Sequence, residues 1–112
     1  IDLFDDVIFN PISIWDLSNE ISYLIENDKI SSEILHIAGK SFCTKYDFGI
    51  SVLKELGLSK AFIRRGSIIE LPYRAKRCAD QSLNSSFYQK KYKRILPNLK
   101  QTINTIKNYY NE

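Results

Sequence analysis

Three cations stand within four residues at Arg74, Lys76 and Arg77, inside the stretch Glu70-Leu71-Pro72-Tyr73-Arg74-Ala75-Lys76-Arg77-Cys78-Ala79-Asp80-Gln81-Ser82-Leu83-Asn84. They are close enough to converge on one phosphate group, and the planar fork of arginine suits bidentate contact with a diphosphate. The competing reading is a solvated loop whose arginines pair with Glu70 and Asp80, worth little energetically. Both remain open from residue types alone. From Arg64 to Arg94 the chain carries nine bases against Glu70 and Asp80, whereas the first third is acidic. That asymmetry points to an anionic partner for the second half: nucleotide phosphate, nucleic acid or a neighbouring acidic domain.

Other residues capable of chemistry are sparse. His36, the only histidine, lies in the apolar run Ile34-Leu35-His36-Ile37-Ala38-Gly39 and reads as structural, because a catalytic histidine needs an orienting partner and an accessible face. Cys43 precedes a helix start, which would lower a thiol pKa, but no base adjoins it. Cys43 and Cys78 are too few for a disulfide framework and read as reduced thiols. Trp15 either stacks on a base or sugar or anchors the first helix to the core. Tyr88-Gln89-Lys90-Lys91-Tyr92-Lys93-Arg94 interleaves aromatics with bases; this fits nucleic-acid binding, but lysines on the outer face of a short helix explain it as well. The four glycines lie eight to ten residues apart and make no dinucleotide fingerprint.

The elements that must position these residues follow from period and punctuation. Val7-Ile8-Phe9 reads as a short strand, turned by Asn10-Pro11 into a helix that Ser13 and Asp16 open as a capping box. Ile14, Leu17, Ile21, Leu24 and Ile25 form its apolar face, and Asn27-Asp28 ends it. Ile34–Gly39 reads as a buried strand closed by a turn. Thr44 and Asp47 open a second helix that Gly57 stops. Ile63-Arg64-Arg65 is extended, Ser67 and Glu70 open one helical turn that Pro72 ends, and irregular chain runs to Asn84. Ser85 or Ser86 caps a short helix through Lys91, and Pro97-Asn98 introduces the last helix, with Leu99, Ile103, Ile106 and Tyr110 on one face. Strands this few and short need partners, so the domain is expected to pack on something else.

With 112 residues, 44% hydrophobic and 26% charged, one ordinary globular domain spanning 1–112 is expected. No apolar run approaches the roughly 20 residues of a membrane span. The acidic start carries no secretory signal, which points to a cytoplasmic protein. The chain has no methionine, even at position 1, and is expected to be a piece of a longer polypeptide.

The motifs resemble the dTDP-4-dehydrorhamnose reductase family of extended short-chain dehydrogenases along nearly the whole chain. Phe9-Asn10-Pro11-Ile12-Ser13-Ile14-Trp15-Asp16-Leu17 is similar to that family's xGxPTYVxDLA passage. Leu35-His36-Ile37-Ala38-Gly39 with Thr44-Lys45-Tyr46-Asp47-Phe48-Gly49 is similar to YHVSGxxxxSxYEFA. Leu56-Gly57-Leu58 and Ile63-Arg64 match the region that follows. Glu70-Leu71-Pro72, Ala75, Arg77 and Ser82-Leu83-Asn84 match ELPxxAxRPxxSxLD. The resemblance implies a helix-rich α/β C-terminal substrate-binding domain with a few short strands, the Rossmann domain being absent from this chain. It implies reduction of a dTDP-4-dehydro-6-deoxyhexose, for polysaccharide biosynthesis, by NADPH or NADH bound in a missing N-terminal domain with its Tyr-x-x-x-Lys pair; the isolated chain would then be inactive. It makes Arg77 the foremost substrate-binding residue, with Arg74 and Lys76 beside it. It makes the protein's own Rossmann domain its partner, is compatible with a homodimer, and disfavours nucleic acid. A regulatory subunit of the same fold, like the methionine adenosyltransferase β subunit, is the alternative. The chain departs from the pattern at Cys78, usually proline, and at Phe87, usually lysine; without the proline ring φ of residue 78 is not fixed.

Overall fold

The computed structural model describes residues 1–71 and 73–111. Their elements run β1 (Asp2–Phe4), β2 (Ile8–Phe9), α1 (Ile14–Glu26), β3 (Cys43–Thr44), α2 (Lys45–Glu55), β4 (Arg64–Gly66), a 3-10 turn (Ile68–Glu70), α3 (Ser86–Tyr92) and α4 (Leu99–Tyr110). The molecule is a slab, 46 × 36 × 19 Å, with a radius of gyration of 16.1 Å. A sphere-like domain of this length would have a radius near ~13 Å, so much of the apolar surface stays on a face.

Local signals place the helix ends. Ser13 Oγ accepts from the Asp16 amide at 3.0 Å, while the same hydroxyl donates to the Asp16 carboxylate. Thr44 Oγ1 accepts from the Asp47 amide, and Asn98 with Gln101 forms a reciprocal box at the start of α4. Helix α2 ends as foreseen at Gly57, φ +68°, with Leu58 N–H bonded to Leu53 O and Gly57 N–H to Lys54 O, a pairing that occupies two otherwise orphaned carbonyls. Ser85 caps nothing with its side chain. Its hydroxyl instead accepts from the Ala38 amide and donates to the Ala38 carbonyl, tying α3 to a distant segment.

Pairing between strands is sparse and non-local. β1, not foreseen as a strand, lies parallel to β4, with Asp2 opposite Arg64 and Phe4 opposite Gly66. β2 is antiparallel to β3, and Ile8 also bridges in parallel to Asp80. The strand expected at Ile34–Gly39 does not form. Residues 34–39 carry no regular structure, exposure alternates from Ile34 to Ile37, and the backbone groups go to single side chains and loops: Ala38 N–H to Ser85, Gly39 O to Asn10, with Lys40 N–H beyond it bonded to Pro97 O. Leu35 and Ile37 pack on the core, whereas Ile34 is 85% exposed and His36 is exposed as well, not buried in a strand.

The core joins α1 to α3 through Leu24, Tyr88, Tyr92 and Leu96, with Ile12, Tyr23, Leu35 and Ile37 against them. The apolar face expected on α1 is split: Leu24 and Glu20 are buried and Leu17 is half-buried, while Ile14, Ile21 and Ile25 face solvent. The inward stripe lies to one side of the most apolar one, because Arg94 and Tyr88 give Glu20 partners inside.

Candidate functional site

The sequence places its densest positive charge at Arg74, Lys76 and Arg77, and the structure brings all three onto the wall of one cleft of about 360 Å3. Phe4 of β1, Ile68 and Ile69 of the 3-10 turn, Leu71 and Ala75 complete the lining, so three cations share one cleft with five apolar side chains. Arg77 also borders an adjoining cleft of about 250 Å3 with Asp2, Lys45 and Gln81, sharing Phe4 and Ile68 with the first. These apolar residues were not singled out from sequence, since only the β1–β4 pairing carries Phe4 to Ile68.

All three cations are exposed. Among the described residues the ion pairs are Arg64–Asp2, Arg65–Asp5, Lys91–Glu33, Arg94–Glu20 and Lys107–Glu55. None involves the basic segment. Asp80, expected to neutralise it, instead accepts from the Ser82 amide at 3.0 Å and the Ser82 hydroxyl at 2.6 Å, and these bonds hold its carboxyl below the usual range. Pro72, read from sequence as ending the helical turn that Ser67 opens, lies outside the described residues.

The far wall is held by Asp6, whose Oδ1 accepts from the Ile68 amide and Oδ2 from the Ser67 hydroxyl. The Ser67 bond first and the Ile68 bond second keep the carboxyl below its ordinary 3.8. A depressed acid pKa contributes stability that is complete above the ordinary value and is lost as pH falls through the lower folded one. Acidification below pH 3.8 is therefore expected to release the Ser67–Glu70 turn. The protection of the Ile68 amide, its exchange rate by NMR relative to the intrinsic rate at each pH, should fall over that window in the native protein and be low already at neutral pH in Asp6→Ala.

The remaining candidates resolve into packing. The Trp15 ring stacks on Tyr109 at 4.2 Å with planes 6° apart, anchoring α1 to α4. Cys43 is half-buried, and burial first, then Asp47, push its thiol up, opposite to the expected helix-terminus effect. Cys78 is an exposed free thiol. Tyr88 and Tyr92 are inside the core, so they offer no stacking faces to a nucleic-acid strand. Among the described residues no group of three or more His, Cys, Asp or Glu is placed to hold a metal ion, and no helix is long and apolar enough to cross a membrane.

The glycines do not fit a dinucleotide cradle. A Cβ on Gly39 would meet Pro11 O, Gly49 sits in α2 against Leu3, Gly57 ends α2 and Gly66 lies in β4 opposite Phe4. None lies in a strand-to-helix phosphate turn.

Among the described residues, four helices, short non-local strand pairs and a cleft lined by three cations make a helix-rich α/β domain of the substrate-binding kind. The chain belongs to the family described as the RmlD substrate binding domain, whose model matches residues 1–111. A search of curated proteins gives no significant match. Among solved structures, it is similar to a dTDP-4-dehydrorhamnose reductase from Bacillus anthracis in complex with NADP: TM-score 0.81, 16% identity, 94% of this chain and 36% of that one. It is also similar to a dTDP-4-dehydrorhamnose reductase from Clostridium acetobutylicum (TM-score 0.79, 19% identity, 99% of this chain and 38% of that one). A third, from Yersinia enterocolitica, gives TM-score 0.71 and 18% identity over 94% of this chain and 37% of that one. The chain thus spans a little over a third of the length of these relatives.

Proposed function

We propose that this chain is the sugar-nucleotide-holding part of an NAD(P)H-dependent reductase acting on a dTDP-4-dehydro-6-deoxyhexose. In this reading residues 1–112 form one domain, Arg77 grips the diphosphate with Arg74 and Lys76 beside it, and the apolar side chains of Phe4 and Ile68 take less polar parts of the ligand. The nicotinamide cofactor and the proton-transferring residues come from a separate Rossmann domain of the same protein. One observation carries the reading: three cations without carboxylate partners among the described residues line a single cleft with five apolar side chains. A solvated loop would pair its cations with Glu70 and Asp80, and among the described residues neither carboxylate is in an ion pair.

Arg77→Ala in the full-length protein is expected to weaken binding of a dTDP-sugar roughly tenfold to a hundredfold, the worth of one charged hydrogen-bonded contact. NADPH affinity should be unchanged. Isothermal titration of both ligands makes the comparison, and an unaltered dTDP-sugar affinity sinks the assignment. Turnover of a dTDP-4-keto sugar by the intact protein separates a reductase from a regulatory relative of the same fold.

A further inference from the structure

Among the described residues from Leu71 to Ala79, the backbone bonding within the segment is the Arg74 N–H to Leu71 O at 3.3 Å, with Cys78 O accepting from the Gln81 side chain. Beyond Ala79 the chain is fastened as if to a strand. Ile8 N–H bonds Ala79 O and Gln81 N–H bonds Ile8 O, both at 2.8 Å. Two residues on, where Pro11 is about to turn the chain into α1, the Asn10 side chain continues the ladder. Its Nδ2 donates to Leu83 O at 2.8 Å and its Oδ1 accepts from Leu83 N–H at 2.9 Å. The same Nδ2 donates to Gly39 O at 2.9 Å, and Asn10 is 7% exposed.

We propose that Asn10 is a positioning residue for Arg77, an inference that rests on Arg77 being the anion contact. By engaging both backbone groups of Leu83, the amide fixes the register of residues 79–83 along β2. A slip of one residue along β2 would shift Ala79 and the chain leading to it, and so move Arg77 from its place on the cleft wall. Leu83, which Asn10 holds, is six residues from Arg77; the ladder between them runs through the Ile8 bonds to Gln81 and Ala79, and Ala79 is two residues, ~7 Å of chain, from Arg77.

The test uses the full-length protein with thymidine diphosphate as probe. Asn10→Ala is expected to weaken the probe about tenfold, within the loss that a misplaced contact causes, while NADPH affinity is retained. In an Arg77→Ala background the same change should add almost nothing, because the contact it positions is gone. Asn10→Asp keeps the bond from the Leu83 amide but turns a carboxylate on two carbonyls; it should weaken the probe similarly and serves if Asn10→Ala does not fold. Amide exchange at Leu83 should accelerate in Asn10→Ala, which removes its acceptor. If Asn10→Ala leaves probe affinity unchanged, or if its loss and that of Arg77→Ala multiply in full, the positioning role fails and the Arg77 site stands. If Arg77→Ala alone leaves affinity unchanged, the site reading fails and the role of Asn10 fails with it.

Discussion

Arg94→Ala is expected to lower the unfolding free energy by about 3 kcal/mol, the low end of the cost of stripping one partner from a buried ion pair. The Arg94 Nε and Nη2 donate to the two oxygens of Glu20 at 2.9 and 3.2 Å, and Tyr88 donates its hydroxyl to Glu20 Oε2 at 2.5 Å. The Glu20 side chain is 8% exposed and that of Arg94 33%. Removing the arginine therefore leaves a desolvated carboxylate with one neutral donor, while some water can enter where the guanidinium stood. Burial and the Glu20 carboxylate keep the Tyr88 phenol protonated far above its ordinary range, so that donor persists. Tyr88→Phe, which retains the ion pair, should cost only about 1 kcal/mol. A Glu20→Leu, Tyr88→Phe, Arg94→Leu triple variant should recover most of the loss, since it removes both charges together with the hydroxyl bonded to Glu20. Urea unfolding with matched slopes reads all three. A change below about 0.5 kcal/mol in Arg94→Ala, the size of an ordinary surface substitution, would mean that water already reaches Glu20.

Gly39→Ala is expected to cost a similar amount, about 3 kcal/mol, for a steric reason. The added Cβ would lie 2.1 Å from Pro11 O, 3.2 Å from Pro11 C and 3.4 Å from Pro97 O, all backbone atoms that no rotamer change can move aside. The segment cannot slide away either, because Asn10 holds Gly39 O and Pro97 O accepts from Lys40 N–H. In a domain of this size the loss corresponds to a fall of roughly 15 °C in melting temperature. Gly57→Ala is the contrasting case: φ is +68° but nothing lies within 4 Å, so only the backbone strain of about 1 kcal/mol is expected. Scanning calorimetry on the two variants decides. Equal shifts would show that close approach at Gly39 is not what the glycine serves.

Helix ends were legible because the groups that make them are local. Ser13 with Asp16, Thr44 with Asp47, and Gly57 all act within a few residues of the turn they stop or start. The irregular path from Tyr73 to Asn84 and the single turn after Ser67 were legible for the same reason. Failures fall where a partner is distant in sequence. Ile34–Gly39 has the composition of a strand, yet its backbone groups meet Ser85, Asn10 and Pro97 side by side, not a neighbouring strand. Ile14, Ile21 and Ile25 have the period of a buried face, yet α1 rolls toward Arg94 and Tyr88 because they can satisfy Glu20. The tyrosines of α3 sit four residues apart, a helix-face signal that their lysine neighbours obscured.

The site divides in the same way. Residue types by themselves determined that Arg74, Lys76 and Arg77 concentrate positive charge on an irregular segment, and motif order along the chain determined the family resemblance. Only the tertiary structure decided that Phe4 and Ile68 line the same cleft as those cations, and that Asn10 holds both backbone groups of Leu83. Charge and capping are properties of one residue or one turn and survive in a linear reading. A cleft and a register depend on which groups from opposite ends of the chain satisfy one another's hydrogen bonds, as Asn10 and Leu83 do across 73 positions.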